Sequence, residues 1–201
     1  CSFTISDPNP CAGTEVDFSV EAPMGGVSYE WDLDNDGETD LSGSAFSYAF
    51  PVTNNDTDYP IVLYADGDSC STQIITVTAT PDASIGVPPG IVLMIGNELK
   101  ACNGSSTFDL EIFNASTTYT TNASYSINWG DGSPPEQYDN TTFSNTSTSS
   151  HTYVGLGYYT IFVTVTSQNG CVFTENYTFY NGGNPSVGLV IPGNTVGLCA
   201  P

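Results

Sequence analysis

Tyr29-Glu30-Trp31-Asp32-Leu33-Asp34-Asn35-Asp36-Gly37 and Tyr125-Ser126-Ile127-Asn128-Trp129-Gly130-Asp131-Gly132-Ser133 are two versions of one phrase. Each alternates like a strand and delivers a Trp into an Asp/Gly turn. A Cys stands upstream of each (Cys11, Cys102), and another follows a later strand (Cys70, Cys171). A chain that repeats one small β-unit reads as an array of modules. Cysteines recurring with the repeat point to extracellular modules.

The flanking sequence supports this. Thr14 to Glu21 alternates with Val16, Phe18 and Val20 on one face. Val27–Leu33, Ala45–Phe50, Ile61–Ala65 and Gln73–Thr80 complete a first set of expected strands. The second set is Thr107–Phe113, Ser124–Trp129, Thr141–Thr148, Tyr158–Ser167 and Val172–Tyr180. The expected division is a first unit over residues 1–81 and a second over 82–184. Asn184-Pro185-Ser186-Val187-Gly188 echoes Pro81-Asp82-Ala83-Ser84-Ile85-Gly86, and Cys199 echoes Cys102, so residues 185–201 read as a linker and the first segment of a further unit. Gly86 to Lys100, with its apolar run Ile91 to Ile95, is expected to pack against a neighbouring unit or subunit.

The 201 residues carry one cation, Lys100, against 22 Asp and Glu, for a net charge of −21. Phosphate backbones are repelled by such a chain, which argues against nucleic-acid partners. Anionic membrane surfaces are disfavoured too, and Ile91 to Ile95 is far too short to span a bilayer. Clustered carboxylates attract divalent cations instead.

Trp129-Gly130-Asp131-Gly132-Ser133, His151-Thr152-Tyr153, Gly157-Tyr158-Tyr159-Thr160, Val163-Thr164-Val165-Thr166-Ser167 and Gly170-Cys171, in that order, resemble the PKD family. The first unit matches less closely, with its turn lengthened to Trp31–Gly37 and Tyr48-Ala49-Phe50 at the His-Thr-Tyr position. The resemblance implies an all-β chain of tandem Ig-like, PKD-like β-sandwich domains. It also implies a spacer or adhesive role at the cell surface.

In the register of the repeat, Cys11 pairs with Cys70 and Cys102 with Cys171, while Cys1 and Cys199 stay unpaired or join separate copies. Asp32, Asp34, Asp36 and Asp40, with the carbonyl of Glu38, have the spacing of a loop that wraps oxygens around Ca2+. Position twelve of that loop is Gly43 rather than Glu, so it is not an EF-hand. The alternative is a solvated acidic turn whose Asp side chains cap backbone N–H groups. The second unit has only Asp131 at this turn, and no equivalent site is expected there.

Sequons at Asn55, Asn103, Asn114, Asn122, Asn140, Asn145 and Asn176 are candidate glycosylation sites. His151, the sole histidine, falls in the His-Thr-Tyr strand and is expected to be structural. No nucleophile has an identifiable base, and no enzyme is expected. The expected role is an extracellular structural or adhesive repeat of a large cell-surface protein or filament. Its partners would be neighbouring repeats or subunits, together with surface glycans, a host or a substratum. The alternatives are an accessory carbohydrate- or protein-binding module of a secreted enzyme, and a surface-layer subunit.

Overall fold

The computed structural model describes residues 1–53, 55–90 and 92–183, which form two compact units divided between Thr80 and Pro81. Residues 185–201, read above as the opening of a further unit, lie outside the described residues.

In the first unit the strands are β1 (Phe3–Ile5), β2 (Glu15–Val20), β3 (Tyr29–Asp32), β4 (Leu41–Ser42), β5 (Ala45–Ala49), β6 (Thr57–Ala65) and β7 (Asp68–Val77). They make two sheets, ordered β1-β2-β5 and β4-β3-β6-β7. The chain crosses to the second sheet after β2, back for β5, and over again for β6 and β7. Those crossings define an Ig-like sandwich. Strict alternation in β2 drives Val16, Phe18 and Val20 inward. There they meet Trp31, Ile61, Leu63, Ile75 and Val77 from the facing sheet. Each such side chain contributes about 1.5–3 kcal/mol on burial. Trp31 sits at the centre, edge-on to Phe3, Phe18 and Phe46.

The second unit comprises β8 (Ile85–Gly86), β9 (Val92–Ile95), β10 (Glu98–Ala101), β11 (Thr107–Asn114), β12 (Asn122–Asn128), β13 (Glu136–Asp139), β14 (Thr148–Val154), β15 (Gly157–Ser167) and β16 (Val172–Asn181). Its sheets are β14-β11-β8 and β13-β12-β15-β16-β10-β9. Strands β11 to β16 repeat β2 to β7 one for one. Trp129 and Tyr125 occupy the core with Ile127, Tyr153, Val163 and Phe179.

The units differ at one edge. In the second, β10 pairs parallel with β16, and β9 folds back antiparallel on β10. In the first, Thr76 N donates to Pro8 O and Thr78 N to Pro10 O, and only the single bridge Cys11–Thr78 forms. Within the stretch Gly86 to Lys100, Gly86 ends β8 in the three-stranded sheet, while β9 and β10 (Val92 to Ala101) build an edge hairpin on the six-stranded sheet. Val92 and Met94 pack against the second unit's own core.

The strand expected at Thr141–Thr148 is a turn. Asp139 accepts hydrogen bonds from Thr141 N and Thr142 N, a local alternative to sheet pairing. The strand comes later, at Thr148–Val154, and contains His151-Thr152-Tyr153.

The cysteine pairing also differs from the one the repeat register implies. Cys70 is bonded to Cys1, not Cys11. Cys11 lies beside Thr78, about eight residues along β7 from Cys70, or roughly 26 Å at the rise of a strand. A disulfide requires Cα atoms within about 7 Å. Cys102 follows Ala101, which is in register with Asn181, while Cys171 precedes Val172 at the opposite end of β16. These two are roughly 30 Å apart by the same rise, so Cys102–Cys171 is not formed either. Cys11, Cys102 and Cys171 are all disulfide-bonded, to partners other than those expected. Cys1 is therefore neither unpaired nor a link between copies, and Cys199 lies outside the described residues. Bonded cysteines mark an oxidising, extracellular or secreted setting.

Candidate metal centre and the paired turns

Both units turn directly after their core Trp, and the two turns solve the same problem differently. In the first, β3 ends on Asp32, whose side chain is fully buried. Its carboxylate accepts from Asp34 N at 3.3 Å and Gly37 N at 2.9 Å. Asp34 accepts from Asp36 N, and Asp36 from Glu38 N. Asp40 reaches back to accept from Leu33 N at 2.7 Å. Asn35 and Gly37 take positive φ (58° and 90°), which lets the loop coil around these carboxylates.

Oxygens of Asp32, Asp34 and Asp40 lie within 4.8 Å of one another. Asp36 stays outside this group, its Oδ1 engaged by Glu38 N. No Lys, Arg or His pairs with any of the three among the described residues; the only ion pairs there are Lys100–Glu98 and His151–Asp131. Three hard oxygen donors this close, one of them buried, repel each other unless a cation sits between them. The donor set fits Ca2+, which takes six to eight oxygens at about 2.3–2.6 Å. Backbone carbonyls and water would complete such a shell.

In the second unit, Gly130 begins the turn with φ +76°. Asp131 Oδ1 accepts from Ser133 N at 3.0 Å and Ser133 Oγ at 2.6 Å. Its Oδ2 lies 2.8 Å from His151 Nε2. The imidazole stacks on Trp129 at 5.0 Å and 10°, and Tyr153 donates its hydroxyl to Trp129 O. The lone carboxylate here is held by a hydroxyl and an imidazole. His151 links the turn to β14 across the Trp129 ring.

The Ser133 hydrogen bond, with His151 next, lowers the Asp131 pKa to about 2. The folded pKa lies below the unfolded value of about 3.9. Its stabilisation is therefore complete above the unfolded pKa and is lost as the pH falls through about 2. Asp131→Asn should lower the urea midpoint of the second unit at neutral pH. That deficit should shrink steadily between about pH 4 and pH 2; a pH-independent deficit would show that the charge contributes nothing.

Two sequons are closed to modification in the folded chain. Asn114 and Asn122 are buried. Asn114 donates to Phe143 O, and Asn122 to Ser116 Oγ and Tyr125 OH. Asn55, Asn103, Asn145 and Asn176 are exposed, and Asn140 is half-buried.

No protein-family model matches this sequence, and no curated protein matches it. Among solved structures, the fibronectin(III)-like modules of Clostridium thermocellum CbhA align with 91% of this chain and 95% of their own, at 12% identity and a TM-score of 0.35. The chicken CNTN1 FN1-FN3 domains align with 88% of this chain and 66% of theirs, at 9% identity and 0.35. A Bacteroides ovatus protein, SGBP-B, solved with a mixed-linkage heptasaccharide, aligns with 87% of this chain and 43% of its own, at 17% identity and 0.27. At these TM-scores no functional argument rests on the likeness. The Ig-like fold stands on the strand order itself.

Proposed function

We propose that this chain is a non-enzymatic structural and adhesive repeat segment, built of PKD-like modules, from a large cell-surface protein or filament. The observation that carries this reading is where Cys1–Cys70 lies. Cys70 is the third residue of β7, the last strand before Thr80. A pull entering at Cys1 passes through the disulfide into β7 and out through Thr80. Strands β2 to β6 lie off that route. A covalent bypass across a sandwich suits a module that transmits force. The PKD resemblance and the echo of a further unit in residues 185–201 support a longer array. In that array the partners are neighbouring repeats, with surface glycans, a host or a substratum at its outer end.

Calcium belongs to the same reading. Asp32, Asp34 and Asp40 would hold it, and it would brace the turn beneath Trp31 by offsetting their mutual repulsion. Calcium over chelator should raise the melting temperature of the first unit, by about 2.7 kcal/mol of stability at a hundredfold excess over Kd. Asp34→Asn should remove most of that response. A melting curve indifferent to calcium would leave the turn as an acidic cap and nothing more.

A further inference from the structure

The outer face of the second unit's six-stranded sheet carries a row of side chains that neither the spacer role nor the core requires. Tyr158, Tyr180, Lys100 and Leu93 stand in register across β15, β16, β10 and β9. Thr160, Thr178, Glu98 and Ile95 form the row beside them. Tyr158 is 66% exposed and stacks on Tyr180, centroids 4.5 Å apart at 26°. Lys100 Nζ is 2.8 Å from Glu98 Oε2. Glu98, Lys100, Tyr158, Thr178 and Tyr180 line a shallow cleft of about 120 Å³. Among the described residues, the hairpin that supplies Glu98 and Lys100 has no counterpart in the first unit, where Pro8 to Cys11 closes that edge. It also bears the only Lys or Arg of the chain.

We propose that this cleft binds a neutral glycan, one pyranose ring lying against the stacked Tyr158–Tyr180 pair and its hydroxyls bonding to Glu98, Lys100 and Thr178. A pyranose has an apolar C–H face for an exposed aromatic ring and a polar rim for a carboxylate, an ammonium and a hydroxyl. Charge selects the class. An anionic ligand meets a chain of net charge −21 whose one cation is already paired with Glu98. A second copy brings another −21. Neighbouring strands lie about 4.8 Å apart, so the row from Tyr158 to Leu93 has room for more than one sugar. The inference does not rest on the spacer reading, and either can fail alone.

The test is electrophoresis of the chain in native gels containing soluble β-glucan, xylan, galactomannan or xyloglucan, with alginate as the anionic comparison. At least one neutral polymer should retard the chain. Tyr158→Ala should weaken that retardation about tenfold or more, the equivalent of one lost ring contact. Lys100→Met should weaken it several-fold. Ile74→Ser, on an exposed residue of the first unit, should leave it unchanged. Circular dichroism checks that each variant folds, and Lys100→Met decides the matter if Tyr158→Ala does not. Retardation by no neutral polymer, by alginate alone, or equally in the wild type and both cleft variants would overturn the proposal.

Discussion

Gly130→Ala should destabilise the second unit by about 4 kcal/mol, a large share of what a domain of this size has. Two costs combine. Gly130 has φ +76°, where a Cβ costs about 1–2 kcal/mol. That Cβ would also sit 2.0 Å from Thr160 O and 2.8 Å from Thr160 C. These are backbone atoms of β15, paired to both β12 and β16, and they cannot step aside. Overpacking of this kind costs about 1–3 kcal/mol, sometimes more. Gly132→Ala is the matched control, since Gly132 has φ +91° but nothing within 4 Å of its Cβ position. It should cost only about 1 kcal/mol, through the backbone alone. Urea unfolding of both variants, followed by Trp fluorescence, separates the clash from the strain. Equal losses would mean that the turn can move away from β15.

The second large effect is expected at the disulfide. Cys1 and Cys70 are 69 residues apart in sequence, and closing a loop of that size stabilises by about 4 kcal/mol in the chain-entropy model. Replacing both with Ser should lower the first unit's stability by about that amount. The second unit's transition should stay in place. A double variant as stable as the wild type would mean that the bridge is incidental to folding. The two losses fall in different units, so they should add in a combined variant.

Much of the fold was legible because strand alternation is a local property. Val16, Phe18 and Val20 in β2, and Ile161, Val163 and Val165 in β15, point inward as their spacing requires. The acidic turn was legible for the same reason: Asp32, Asp34 and Asp40 come together in it, while Asp36 caps Glu38 N. Register between distant strands is not local. Cys11 lands beside Thr78 because Pro8 and Pro10 accept from β7, and nothing around Cys11 announces that. Sequons are blind in another way: the pattern around Asn114 and Asn122 is intact, yet both amides bond within the core. The Ser/Thr-rich stretch at 141–148 resembled a strand in composition but was captured by Asp139. The tyrosine row has a local signal in the alternation of β15. Tyr158 and Phe162 occupy the face of β15 opposite Ile161 and Val163, and that alternation leaves them exposed to solvent.

The claim that this is a force-bearing module is tested most directly by extending single molecules of the chain, held at its two ends, with and without a thiol reductant. With bridges closed, no rupture should release the loop between Cys1 and Cys70. With reductant, a further rupture should appear, lengthening the chain by about 240 Å at roughly 3.5 Å per residue over the 69-residue separation. The same pattern of ruptures in both conditions would show that the disulfide carries no load, and would contradict the account.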